Sequence, residues 1–319
     1  MNFDSIFDLI SGDSLQAMVD FSFGDKILPF SNPIEVSLKN ETFAEYLDTC
    51  RRINKKRLTL FVDNIRLHNR YFPEINESEN AWRLKHQDES GLLEVCRNLP
   101  EFEFIIFCNY DDSNVGTDVR IAIPPNVLGV FAPNAVGHGG KLHVLYYGIQ
   151  RKIHVNDDRN EWFITYLNNR QEFKPKNLFY ANFNINTNKN GREGIFEKFE
   201  NKTWATVNKD RLDFREYIRR MDDHQYVACP LGNAEDCTHR VFEALYLNRY
   251  PVMIRNNFLE KVCEGLPVLF IDSWEQVNEE FLESSLMELS SCSKKLGCMK
   301  MKEYYNSCLS SITDPVSAE

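Results

Sequence analysis

Polar and apolar positions recur along this chain in two patterns. Short apolar runs closed by carboxylates or amides read as buried strands, and apolar residues three and four apart read as amphipathic helices. DSLQAMVDF and ETFAEYLDTCRRI, within residues 1–55, have the helical spacing. KRLTLFVDN (56–64) is the first strand, and its polar end carries Asp63. ESGLLEVCRNL (89–99) predicts a helix stopped by Pro100, and EFEFIIFCNYDD predicts a strand that again ends in carboxylates. VLGVFAPNA and KLHVLYYGI are two more strands, with VGHGG (136–140) between them as a glycine turn.

Residues 151–175 are charged and aromatic without a long apolar run, which places an interdomain region there. A second series follows. NLFYANFNIN is a strand leading into a polar loop, GREGIFEKFEN a helix, TWATV a short strand and DFREYIRRM a helix. QYVACP is a strand, CTHRVFEALYLN a helix, and YPVMI and LPVLFID are strands, with helical WEQVNEEFLESSLMEL after them. Strands alternating with helices at this pace predict βα units and a parallel sheet, hence the α/β class. The expected domains are 1–165 and 166–295, followed by an amphipathic helical tail over 296–319 that packs back.

Length agrees with that division, since 319 residues exceed what one core of about 150 residues holds. With 23 Phe and 13 Tyr, the chain can fill a large core and still line a cleft with rings. A formal net charge of −10 argues against a general nucleic-acid binder, yet leaves room for a local basic pocket that takes one diphosphate. The 9 Cys form no CxxC pair, and no Cys/His spacing marks a zinc site. MNFDSIFDLI lacks a cationic leader, and no apolar run reaches the roughly 20 residues of a membrane span. The expectation is a cytoplasmic protein with reduced thiols and no transmembrane segment. Neither G-x-G-x-x-G nor G-x-x-x-x-G-K-[ST] is present, so dehydrogenase and P-loop readings lack their phosphate fingerprints.

The candidate chemistry lies in CPLGNAEDCTHRVFEAL (229–245). Open α/β sheets bind ligands at the carboxyl ends of their strands, which points to the loop after QYVACP. Gly232 and Asn233 permit a tight turn, and Thr238 is the expected N-cap of a helix whose free N–H groups face an anion. Arg240, in the first turn, can grip a phosphate bidentately, and Glu243 can accept ribose hydroxyls. Glu235 stands in E-x₇-E spacing with Glu243. The plainer alternative is an exposed Arg240–Glu243 ion pair of small energetic weight. His138, in VGHGG, sits either at a backbone approach to the diphosphate or in an ordinary hairpin turn.

The stretch ACPLGNAEDCTHRVFEALYLNRYPVMI resembles the C-terminal half of the exostosin-like glycosyltransferases. Their pattern is a strand, a P-x-G loop, a D-x-x-x-R-x-x-E-A-L helix and a P-V strand. It is met by Pro230, Gly232, Asp236, Arg240, Glu243, Ala244, Leu245, Pro251 and Val252. LPVLFIDSWEQV fits the next element, so the likeness covers about residues 177–290. It implies the GT-B arrangement, two Rossmann-like domains facing across a cleft, with the donor held mainly by the second and without a bound metal or other cofactor. Arg240, the helix terminus and Arg192 of NKNGREG would then take the diphosphate charge. The alternative for Arg192 is a solvated surface position. LLEVCRNLPEFEFIIFCNYDD resembles the corresponding stretch of protein O-glucosyltransferases and capsule-associated relatives, with the carboxylate offset by about one position.

The combined expectation is an inverting glycosyltransferase that moves a sugar such as xylose or glucose from a UDP-linked donor to a glycan acceptor. Glu235 and Asp236 would touch the sugar hydroxyls, and one first-domain carboxylate would be the general base. Asp111 and Asp112 are the first candidates and Asp63 their rival, each against the alternative of a loop cap. Tyr71, Phe72, Trp82 and Tyr110 offer stacking faces for the acceptor, or pack in the core. The competing function is a non-catalytic glycan-binding protein on a degenerate transferase fold.

Overall fold

The computed structural model describes residues 3–22, 43–63, 92–109, 123–133, 135, 140–150, 158–171, 174–232, 237–292 and 300–313. Every pairing between its strands is parallel. This follows from apolar strands alternating with helices, because each parallel step needs a crossover long enough to hold one. The strands form two five-stranded sheets, in two units. The first unit comprises 12–145 with 305–319, and the second comprises 1–11 with 146–304. The sequence reading sets the domain change at 165/166 and the tail at 296.

The first unit holds helix α1 (Gly12–Met18) and strand β1 (Phe21–Ser22). Helix α2 (Phe43–Arg52), β2 (Arg57–Asp63), α3 (Leu92–Arg97) and β3 (Glu103–Asn109) follow. The last strands are β4 (Val127–Ala132) and β5 (Leu142–Val144). The sheet order is sequential, β1-β2-β3-β4-β5. Right-handed crossovers that always step in one direction lie on one face. Leu58, Leu60 and Val62 of β2 and Phe104, Ile106 and Cys108 of β3 accordingly pack with Tyr46, Leu47 and Cys50 of α2 and Leu92, Leu93 and Cys96 of α3. The Rossmann-like order expected of this half is not the order of the described strands. The opposite face takes the end of the C-terminal helix. There Tyr305 lies 5.2 Å from the Phe107 ring, and a Cβ on Gly129 would meet Ile312 at 2.6 Å.

The second unit is wound differently. Its elements are α4 (Arg159–Asn169), β6 (Asn177–Ala181), α5 (Lys189–Arg192), α6 (Ile195–Phe199) and β7 (Ala205–Val207). Next come α7 (Phe214–Asp222), β8 (His224–Ala228), α8 (His239–Tyr246) and β9 (Tyr250–Ile254). The last are α9 (Asn257–Val262), β10 (Leu269–Ile271), α10 (Glu279–Ser290) and α11 (Met301–Thr313), which divides between the units at Tyr304/Tyr305. The order β7-β6-β8-β9-β10 steps outward from β6 in one direction, then from β8 in the other. Helices α6 and α10 cover one face through Phe196, Phe199, Leu282 and Leu289. Helix α7 packs on β8 and α8 on β9.

Four local expectations change. GREGIFEKFEN is two helices rather than one, because Gly194 takes φ 81°, a left-handed conformation that ends the first. WEQVNEEFLESSLMEL breaks where the Asn278 side chain accepts from the Phe281 N–H and caps α10. KLHVLYYGI leaves its sheet after Val144, and Gly148, at φ 71°, turns the chain against Ile10. Helix α4 lies within the presumed interdomain stretch, and its buried side is the narrow stripe Asn160, Phe163 and Ile164. That stripe is too thin to stand out as a periodic pattern.

Candidate functional site

The order of the second sheet reverses between β6 and β8, and the chains leaving these neighbouring strands run to opposite faces. Such a switch point opens a crevice at the carboxyl ends of the strands, where α/β folds take their ligands. The segment after β6 supplies Phe183, Asn184 and Asn188 and, from the end of α5, Arg192. The loop after β8 supplies Leu231 and Gly232 and leads into α8.

Two side chains tie these loops together. Asn188 donates from Nδ2 to the Gly232 carbonyl at 2.8 Å, while its Oδ1 accepts from the Gly191 N–H at 3.1 Å. Arg192 is 3% exposed and donates from Nε to Leu231 O at 2.8 Å and from Nη1 to Asn184 O at 2.6 Å. It is therefore no surface residue. Carbonyls use two of its five N–H donors and none of its charge. Burial, and then repulsion from Arg240, pull its pKa down to about 10.

Arg240 enters from the first turn of α8. Its guanidinium carbon lies 6.0 Å from the Phe183 ring centroid and 5.9 Å from that of Tyr217, while the Arg192 guanidinium is 5.8 Å from Phe183. Two cations thus share one ring, an arrangement favourable to each but not to their mutual approach. Burial works against the charge of Arg240, but Tyr217, Cys229 and Glu243 outweigh it and raise the pKa. Among the described residues the buried Arg240 Nε has no hydrogen-bond partner.

Glu243 is 7% exposed and accepts from the Tyr217 hydroxyl at 3.1 Å on Oε2. Burial raises its pKa, opposed by Arg240, Tyr217 and Arg159. An exposed Arg240–Glu243 ion pair is thus excluded, since Glu243 is buried and the pair interact without a hydrogen bond. Thr238 does occupy the N-cap position of α8, with φ −64° and ψ 158°, but its hydroxyl makes no cap bond. Among the described residues the buried Thr238 Oγ1 is instead without a partner. Buried polar atoms are normally paired, so orphaned donors on neighbouring residues at a helix N-terminus mark a place for an acceptor.

A second arginine pair lies in the same unit. Asp222, fully buried, forms ion pairs through Oδ1 with Arg249 at 2.9 Å and Arg170 at 3.2 Å, and its Oδ2 accepts from the Tyr166 hydroxyl at 2.8 Å. The backbone carbonyls of Asp222 and Leu247 take further guanidinium N–H groups. Here a carboxylate supplies the negative charge.

Arg192, Gly232, Thr238, Arg240 and Glu243 are thus brought to one strand end. Asn233, Glu235 and Asp236 lie outside the described residues, as do Asp111, Asp112, His138, Tyr71, Phe72, Trp82 and Tyr110. Asp63 ends β2, in register with Asn109, and its side chain is not among those described. The sequence reading missed Phe183, Asn188 and Tyr217. Asn188 had a local signal, an amide three residues before Gly191 in a polar loop, but the ring contacts of Phe183 and Tyr217 are long-range. The thiol of Cys229, next to the site, is pushed up to about 12 by burial and is no nucleophile.

The fold and the site together define a doubly wound parallel α/β unit with two cationic side chains and a helix N-terminus at its switch point. No protein-family model and no curated protein matches the chain. Among solved structures, it is similar to Anabaena HepE in complex with UDP-glucose, at 11% identity and a TM-score of 0.33 over 94% of this chain and 99% of that one. No helix of the described residues is long and apolar enough to cross a membrane.

Proposed function

We propose that this chain is a glycosyltransferase whose second unit holds a nucleoside diphosphate sugar, UDP-linked, at the β6/β8 switch point. The observation that carries this is the pair Arg192 and Arg240, set beside the N-terminus of α8 with no carboxylate hydrogen-bonded to either among the described residues and with Arg240 Nε and Thr238 Oγ1 unpartnered there. A diphosphate supplies the missing charge and the missing acceptors together. As the sugar leaves its donor, negative charge grows on that diphosphate, so preorganised guanidinium and N–H donors stabilise the transition state more than the ground state.

Glu243 has one oxygen occupied by Tyr217, and the other takes a ribose hydroxyl. Glu235 and Asp236 contact the sugar. Asp111, Asp112 or Asp63 removes the proton of a glycan acceptor as it attacks from the far side of the anomeric carbon, with inversion. The test is thermal stabilisation by UDP, GDP, ADP and CDP and their sugars. The diphosphate that binds raises the melting temperature by mass action. Arg240→Ala abolishes that rise and the slow hydrolysis of the donor. A full response in the variant overturns the site.

A further inference from the structure

On top of that reading, Tyr217 stands out, because it touches both sides of the site from a different helix. Its hydroxyl donates to Glu243 Oε2 at 3.1 Å, and it meets the Arg240 guanidinium both through its ring, at 5.9 Å, and through a side-chain hydrogen bond that spares Nε. Helix α7 owes this placement to its own sequence. The Asp213 side chain accepts from the Arg215 and Glu216 N–H groups and fixes the start, while buried Ile218 and Met221 set the face that turns inward. A buried carboxylate one turn from an arginine with a free Nε would be drawn into a bonded ion pair with it. Instead the tyrosine hydroxyl holds Glu243, and the Arg240 Nε is left for a ligand.

We infer that Tyr217 is a positioning residue that keeps Glu243 as the acceptor for a vicinal diol and keeps Arg240 for phosphate, so that the site selects nucleoside diphosphates over bare diphosphate. The groups facing Glu243 are Arg240 on its own helix, Tyr217 from α7, Arg159 from α4 and Cys229 after β8. Of these, Arg240, Tyr217 and Arg159 favour the ionised form against burial. Removing the hydroxyl alone takes away one of the three, so the carboxyl of the variant protonates at higher pH than that of the wild type. Ribose recognition then fades at higher pH as well.

The experiment compares the wild type with Tyr217→Phe and Glu243→Gln by calorimetry. The probes are whichever of UDP, GDP, ADP and CDP binds the wild type most tightly, its 2′,3′-dideoxy analogue, and inorganic pyrophosphate. The expected result is an affinity of Tyr217→Phe for the full nucleotide about tenfold lower, the size of one hydrogen bond to a charged group. Affinities for the dideoxy analogue and pyrophosphate change less than about twofold. The nucleotide affinity of Tyr217→Phe also falls off at higher pH than that of the wild type, and Glu243→Gln removes this dependence.

Equal weakening of all three probes overturns the proposal, because the tyrosine would then support only the packing of Arg240. Unchanged nucleotide affinity in a folded Tyr217→Phe overturns it while leaving the donor site standing. If the wild type binds no nucleoside diphosphate, the donor site itself fails.

Discussion

The second unit holds two arginine pairs, and they are neutralised in opposite ways. Arg170 and Arg249 converge on Asp222, a fully buried carboxylate that also accepts from Tyr166. Arg192 and Arg240 converge on Phe183, with carbonyl oxygens for one and an unpartnered Nε for the other. The first pair has its counter-charge in Asp222 and joins α4, α7 and the turn before β9. The second, at the place where the strand order turns back, has among the described residues only Glu243, which acts on Arg240 without a hydrogen bond. Inward-facing charge is costly unless matched, so a fold that keeps two arginines against one unbonded carboxylate at a ligand-binding position gives up stability there for recognition.

The largest effect that would sharpen this contrast is on the closed pair. Asp222→Asn strands two buried guanidiniums, and the expected loss is about 3–5 kcal/mol in urea unfolding. A loss much below that range would mean the Asp222 cluster is no more self-sufficient than the site. Next is the open pair. Arg240→Gln removes a cation with an orphaned Nε that also offsets buried Glu243, so its stability is expected to fall less than that of Asp222→Asn, by about 0.5–2 kcal/mol. Nucleotide affinity falls by at least about tenfold. A large destabilisation without a binding defect would reverse the assignment of the two pairs.

The smallest effect lies at the opposite end of β8. His224 is buried, bonded through Nδ1 to Arg220 O at 2.6 Å and through Nε2 to Thr206 Oγ1 at 2.8 Å, and burial lowers its pKa below 6.5. Its contribution is therefore whole above pH 6.5 and is lost as pH falls toward the folded value. The slope is at most about 1.4 kcal/mol per pH unit. Glu243 has the opposite sign. Its raised pKa makes its contribution whole below 4.5, and that contribution is lost as pH rises through the folded value. Unfolding measured across pH in His224→Gln and Glu243→Gln separates the two. Each variant should flatten one side of the stability profile.

The strands were legible because a parallel sheet covered on both faces needs near-continuous apolar runs, and RLTLFVD, EFIIFCN and YPVMI are such runs. Arg240 was legible because it stands one turn into a helix that follows a strand. Its burial pattern, the Tyr217 bond to Glu243 and the whole Asp222 cluster were not. They join residues that are 26, 56 and 27 positions apart, and no local spacing encodes such contacts. Sheet order was equally hidden, since the same alternation of strand and helix produces both the sequential first sheet and the reversed second one.

The opening residues have a further consequence for how the molecule is made. Ser11 bridges Ile149, the Ile149 N–H bonds Ile10 O at 2.9 Å, and the Ile10 N–H bonds the Tyr246 hydroxyl at 2.7 Å. Those first residues belong to the second unit, yet 134 others, from Gly12 to Leu145, are synthesised before any of their partners exist. On the ribosome, where domains fold in the order they emerge, a segment made before its partners must wait for them. Gly148, where a Cβ would come within 2.1 Å of Ile10 O, is the place at which it is finally admitted.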